Sequence, residues 1–349
     1  MSPAIVVVLL ALLLGIQPVT TDVYLPALPA MQADLRAAMA EVQLTFAALL
    51  LAFGVSQLVW GPLSDRFGRR PVLLIGMGGY VLASLACVAA PDMELLVLAR
   101  IAQGAFMGAA VMCARAIVRD LYHPLEGARM MSRGLTGLGV IAIACAPLGS
   151  AVTEWVHWRA ALLVLALFGI GTFAFIALRF KETIPQRNPR ALVPGTMLRA
   201  WSQIARHPTF LTYSLLSTAS YVALFSFLAG SSFVLIGTLG ISKLAYGGFM
   251  ATQSVIYILG TVACRRMLVR LGIRRSVFVA GFVTFTAGAL MGGLAWFGWG
   301  QPWYGPWAVM LPQAIFIVAH GVYQPVCQSG TVSPFRRRRA LRRRSTASS

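Results

Sequence analysis

Apolar residues run through this chain in long blocks, separated by short polar stretches. The blocks do not alternate as a half-buried strand does, and they carry no single stripe like that of a surface helix. They are apolar on every side. Their length suits a helix crossing the ~30 Å hydrocarbon layer, which takes about 20 residues. The pattern predicts ten spans, at 4–30, 42–60, 72–90, 94–116, 130–153, 159–179, 208–236, 245–264, 276–298 and 305–330. The first block lacks a cleavage site and leads into another apolar span, so it is expected to stay as a helix. The expected class is an all-α polytopic membrane protein with both ends on one side.

Composition sharpens this picture. The 349 residues are 58% hydrophobic and 11% charged, with a mean hydropathy of +0.77, whereas water-soluble domains stay near about 45–50% apolar. The net charge of +19 raises the question of nucleic acid, and the positions of the charges answer it. With a cytoplasmic N-terminus, the inner loops and tail hold 25 of the 29 Lys/Arg residues, and only Arg36, Arg100, Arg159 and Lys243 fall elsewhere. Basic residues accumulate on the cytoplasmic side of membrane proteins, which predicts both termini inside and makes the bilayer, not nucleic acid, the partner. The cysteines Cys87, Cys113, Cys145, Cys264 and Cys327 all fall in spans, with no metal-ligand spacing. The four histidines are scattered, and no catalytic motif is present, so no metal, cofactor or enzymatic activity is expected.

Residues 180–207 form the longest polar interval, with three prolines and mixed charge, and read as a cytoplasmic linker. It divides an N-terminal part, 1–180, from a second part, 208–335, which is followed by an Arg-rich tail, 336–349. Arg66-Phe67-Gly68-Arg69-Arg70 returns in weakened form as Arg270-Leu271-Gly272-Ile273-Arg274. The same turn after the second helix of each half suggests a duplicated bundle, a common construction among secondary transporters.

The stretch Gly61 to Pro71 reads GPLSDRFGRRP and is expected to form a loop of about ten residues between the second and third spans. Gly61 and Gly68 allow a tight reversal, and Asp65 can offset the arginines beside it. This order of Gly, acid, Arg and Gly is similar to the loop signature of the major facilitator superfamily. The resemblance implies that fold, with a six-helix N-terminal bundle and a C-terminal bundle that the predicted spans fill only in part, with about four helices (seven to ten), and an alternating-access carrier. It also implies that Asp65, Arg66, Arg69 and Arg70 belong to a charged cytoplasmic latch between helices two, four and eleven. Thr20 to Pro29 (TTDVYLPALP), Leu98 to Gly104 (LARIAQG), Arg115 to Tyr122 (RAIVRDLY) and Lys181 to Pro185 (KETIP) resemble the proton-coupled drug antiporters, especially the bicyclomycin and chloramphenicol resistance (Bcr/CflA) group. That implies efflux of small apolar drugs in exchange for protons across a bacterial inner membrane, by a monomer. A metabolite carrier of the same fold is the alternative, as is a truncated remnant that transports nothing.

Within the spans, Asp22 and Arg100 carry charges that no loop accommodates. Charge at depth costs at least ~2.5–3.5 kcal/mol on insertion scales and marks a functional candidate. Their opposite signs predict a pair across helices one and four, with Asp22 taking up the proton. Gln103, one turn from Arg100, needs a polar partner and is a cavity candidate, and Tyr24, Phe225 and Phe227 are candidate aromatic walls. Gly134, Gly137, Gly139, Pro147 and Gly149 in the fifth span resemble the antiporter motif of the family in degraded form, and are read here as close helix packing. Seven arginines lie among the nine residues from Arg336 to Arg344. Such a run cannot cross a bilayer, while the resemblance would have two more spans follow. The chain is therefore expected to be truncated or frameshifted near residue 336, without the latch partner of Asp65. A polybasic tail on anionic lipid is the alternative.

Overall fold

The computed structural model describes residues 1–189, 191–298 and 300–347, without the side chains of residues 124, 196, 200 and 328–347. The side chains of the expected Arg-rich tail therefore lie outside the described residues. Helix α1 (Pro3–Asp22) breaks early, at a turn of 3₁₀-helix (Leu25–Ala27), and resumes as α2 (Leu28–Asp34). The sequence predicts one continuous span here. Pro26 and Pro29 explain the break, because neither has an N–H to give to the carbonyl four residues earlier.

The next helices are α3 (Met39–Phe67), α4 (Arg69–Ala89), α5 (Met93–Leu121), α6 (Pro124–Trp155) and α7 (Trp158–Arg179). They overrun the predicted spans, and the polar stretch from Gly61 to Pro71 is no ten-residue loop. It stays helical up to Phe67, and the whole reversal takes place at Gly68, with φ 106° and ψ 162°. A side chain disfavours positive φ, so glycine is what lets two long helices meet at one residue.

The interval after α7 also holds a helix, α8 (Pro194–Ala205), where the sequence reading expects only linker. Its apolar Met197, Leu198, Trp201 and Ile204 recur at helical spacing, with Arg199, Ser202 and Gln203 between them. Helix α9 (Pro208–Ser232) ends in a π-helical turn (Phe233–Thr238). Helix α10 (Lys243–Gly298) is 56 residues long, which at about 1.5 Å per residue would make a rod of about 84 Å. Gly272, with φ 71° and ψ 174°, breaks it into two helices, which restores the two predicted spans. Helix α11 (Pro306–Ala347) follows. The described residues contain no strand.

The chain divides into two packed units. The first holds Met1–Thr196 with Ala229–Ala251, and the second holds Met197–Leu228 with the chain from Thr252 on. In the first, α3 packs on α5, α1 on α6, and α4 on α5 and α7. Leu9, Leu13, Leu73, Met77, Met107 and Ile117 are among the side chains that fill its centre. Helix α6 comes so close to the end of α1 that a methyl group at Gly149 would overlap the carbonyl of Val23, the residue after α1. The second unit packs Cys264, Ala280, Ala319, Val322 and Tyr323 together, and Ala287, Phe316 and Ile317 beside one another. All five cysteines are buried and unpaired, as small packing residues would be.

Candidate functional site

In the first unit, the broken first helix carries its polar groups onto two faces. Arg100 is fully buried on α5, and its guanidinium lies 4.2 Å from the centre of the Tyr24 ring. It donates to Gln103 Oε1 at 2.6 Å and to the Thr20 carbonyl at 3.3 Å, while its Nε is buried without a partner. Gln103 in turn donates to Ser84 Oγ at 2.7 Å, and Ser84 donates to the Tyr80 carbonyl at 2.7 Å. Thr20 gives its own proton to the Ile16 carbonyl at 2.6 Å, so the Tyr80 hydroxyl, 2.7 Å away, must donate to Thr20. By the same reasoning Thr45 donates to the Val42 carbonyl at 2.6 Å and accepts from Tyr24. A cation is thus held at depth by a chain of neutral dipoles and one aromatic face, without a carboxylate.

The expected Asp22–Arg100 pair is not made. Among the described residues no cation lies within ion-pair distance of Asp22, whose Oδ1 accepts from the Thr21 hydroxyl at 2.7 Å. Helix geometry gives the reason. The residues that hold Arg100 are Thr20 and Tyr24, two positions either side of Asp22, and residues two apart on a helix do not share a face. Cys145 and Tyr246 lie near enough to the carboxylate to feel its charge.

The turn at Gly68 builds a second constellation. Arg69 is 2% exposed and bridges three elements: Nη1 reaches Asp65 and Ser64 at 2.7 Å each, and Nε reaches Asp120 at 2.8 Å. Arg119 approaches Asp65 at 3.9 Å. Arg70 donates to the Ala177 carbonyl at 3.0 Å, and Arg66 lies over Phe67 with its side chain in solvent. Gly61 sits against Met112, and Gly68 leaves room for Glu182, whose carboxylate a methyl group at 68 would overlap.

Glu182 accepts the first two backbone N–H groups of α4, Arg69 at 2.9 Å and Arg70 at 3.0 Å. It also accepts those of Thr183 at 2.9 Å and Ile184 at 3.1 Å. Partial burial pushes its carboxyl up, but the four N–H groups outweigh it and hold the Glu182 pKa below the usual carboxylate range. Asn188 N–H adds a bond to the Asp65 carbonyl at 2.9 Å, so the segment after α7 is fastened to the turn.

At the other end of this unit, Arg159 and Lys243 meet Asp34 at 2.8 Å and Glu154 at 3.2 Å. A cavity of about 450 Å³ opens between them, lined by Ala30, Asp34, Thr153, His157, Trp158 and Lys243. On α6, Gly134 and Gly137 pack on Leu10 and Ala11, Gly139 is half-buried, and Pro147 and Ser150 pack on Gly247. No group of three or more metal-ligating side chains occurs among the described residues.

The predicted residues therefore fall into separate clusters: Tyr24, Arg100 and Gln103 together, Asp22 apart from them, and Asp65, Arg69 and Arg70 around the Gly68 turn. Sequence reading missed Thr20, Thr45, Tyr80, Ser84, Asp120 and Glu182. Three of these had a signal, since Thr20 opens TTDVYLPALP, Asp120 lies in RAIVRDLY and Glu182 in KETIP. The others are hydroxyl residues in apolar runs, with nothing to distinguish them.

The family model described as Major Facilitator Superfamily matches residues 10–346. The chain belongs to the major facilitator superfamily. It is 30% identical over 333 residues to Multidrug resistance protein D of Escherichia coli strain K12, covering 94% of this chain and 80% of that protein. The Chloramphenicol resistance protein of Pseudomonas aeruginosa is 32% identical over 277 residues, covering 77% of this chain and 63% of that protein. The Bicyclomycin resistance protein homolog of Haemophilus influenzae (strain ATCC 51907 / DSM 11121 / KW20 / Rd) is 27% identical over 288 residues, covering 82% and 72%. Among solved structures, a D-xylose-proton symporter superposes with a TM-score of 0.68 at 16% identity, over 92% of this chain and 81% of that one. At that identity the likeness is one of fold. This superfamily carrier is a multi-pass membrane transporter with an all-α fold, whose relatives are named for multidrug and antibiotic resistance.

Proposed function

We propose that this carrier exports small, mostly apolar drugs in exchange for protons across a bacterial inner membrane, with both termini in the cytoplasm. In this reading it is a monomer built from two bundles, 1–180 and 208–335, joined by the 181–207 linker, and works by alternating access. The observation that carries the exchange reading is Asp22, a carboxylate inside a membrane helix that, among the described residues, has the Thr21 hydroxyl as its side-chain partner and no cation paired to it. A proton taken up or lost there changes the charge of the site without an ion pair having to be broken. The names of the relatives support drugs as the cargo, and the apolar walls of the spans suit molecules recognised by area more than by polar contacts.

In the same reading the Gly68 turn is the cytoplasmic gate. Asp65, Arg66, Arg69 and Arg70, with Asp120 and Glu182, form a charged joint that holds one arrangement of helix ends and yields to another. The test of the exchange is made in proteoliposomes loaded with a fluorescent cationic drug, under an imposed pH gradient. Wild-type chain is expected to move drug in proportion to the gradient, and Asp22→Asn to bind drug without responding to it. Gradient-driven movement by Asp22→Asn equal to wild type would remove Asp22 from the proton path.

A further inference from the structure

His320 lies on α11 within the apolar stretch Pro306–Cys327, and is 3% exposed. Its Nδ1 meets the hydroxyl of Ser220, on α9, at 2.7 Å, and Ser220 is itself 5% exposed. Aromatic rings from three helices enclose the imidazole. Tyr221 on α9 stands edge-on with centroids 5.0 Å apart, Tyr257 on the first half of α10 lies at 5.9 Å, and Phe316, one turn back on α11, stacks at 6.0 Å. Gln324, one turn on, donates to the Tyr221 hydroxyl. The titratable groups facing His320 are thus Tyr221 and Tyr257, and no carboxylate, lysine or arginine touches it among the described residues.

We infer that His320 is a proton-binding site of the second unit, which loads and unloads during the transport cycle. Its surroundings offer Nδ1 a hydrogen-bond partner in either charge state of the ring. A serine hydroxyl both donates and accepts. It can donate to an unprotonated Nδ1 and can accept from Nδ1–H, so it serves either tautomer of the neutral ring and the charged ring alike. The stacked Phe316 face lies within the ~6 Å range at which an aromatic quadrupole attracts a cation. An ionisable group at membrane depth is costly to keep and marks a functional candidate. The use of this proton in transport rests on the exchange reading above, but the binding of it does not.

Two measurements on the full chain separate those statements. In the first, histidine is labelled with ¹⁵N and the protein, in lipid nanodiscs, is titrated from about pH 5 to about pH 8, the range in which imidazoles change charge. His320 is expected to pass from neutral to imidazolium shifts with its own midpoint. That transition should be missing in His320→Gln and displaced in Ser220→Ala, which also secures the assignment if His320→Gln folds poorly. His320 signals that stay neutral over the whole range would overturn the site. In the second, protons released on adding tetraphenylphosphonium are counted in weakly buffered detergent solution. His320→Gln is expected to release fewer per drug bound than wild type, and equal release would overturn the cycling of this proton. If wild type binds drug and releases none while His320 still titrates, the exchange reading fails and the proton site stands.

Discussion

Replacing Arg69 by methionine tests whether the Gly68 turn is held by charge or only by shape. Arg69 is 2% exposed and is the cation that faces Asp120, whose side chain is 9% exposed. Methionine keeps most of the volume but leaves that carboxylate buried and unpaired. Breaking a buried pair from one side costs about 3–5 kcal/mol. Asp120 retains some contact with water, so the lower end applies, about 3 kcal/mol. The second pair adds less than about 1 kcal/mol, because Asp65 is 43% exposed. At about 2–4 °C per kcal/mol for a unit of this size, the unfolding midpoint should fall by about 6–12 °C.

The five buried cysteines supply the assay, since a thiol-reactive fluorophore reports their exposure as purified protein unfolds in detergent. Asp120→Asn in the Arg69→Met background removes the stranded charge and should recover at least about half of the loss, which sets a coupling of at least about 1.5 kcal/mol. Strict additivity of the two substitutions would refute the reasoning, because the pair would then contribute nothing beyond its separate side chains.

Other expectations rest on the same geometry. Glu182→Gln keeps an acceptor but loses the charge facing the α4 amides, and should cost at most about 1 kcal/mol at neutral pH, given its exposure to solvent. Because the folded pKa lies below the unfolded value, the advantage of glutamate holds above about pH 4.3 and disappears as pH falls through the folded value. Paired midpoints at neutral and acid pH check this, and a gap that widens on acidification would contradict it. Gly149→Ala forces α6 off the Val23 carbonyl and should destabilise by about 1–3 kcal/mol. Gly171→Ala, with nothing within 4 Å of the added methyl, should be neutral or stabilising by up to about 1 kcal/mol. The same thermal assay compares them, and equal effects would discount the close approach.

The spans were legible in the sequence because a membrane helix announces itself by uniform apolarity over its whole length, which needs no knowledge of its neighbours. The GPLSDRFGRRP stretch was legible as a unit of charge and glycine, but its form was not. Its residues stay helical until one glycine with positive φ, and no local pattern separates that from a loop. Partners distant in sequence were the least accessible. Glu182 meets Arg69 across 113 positions, and only folding reveals that the void over Gly68 is filled by a carboxylate. Asp22 and Arg100 were expected to pair from their signs alone, but the rotation of the first helix about its axis turns them to different sides. His320 was one of four scattered histidines until the helices around it supplied a hydroxyl and three rings.

Gly272 decides more than the bend in α10. If it continued the helix, Arg274, Arg275 and everything after them would travel on away from the bilayer, and each later segment would insert with inverted orientation. The polarity of the rest of the chain therefore depends on one backbone conformation, yet that dependence is guarded. Arg265, Arg266 and Arg270 precede the glycine and Arg274 and Arg275 come after it, and five such side chains resist being drawn across the membrane from either direction. The topology is encoded twice at this point, once in a dihedral angle and once in charge. An error in the first code, such as a side chain at position 272, should be absorbed as local strain of about 1–3 kcal/mol before it could reverse the insertion of the downstream helices.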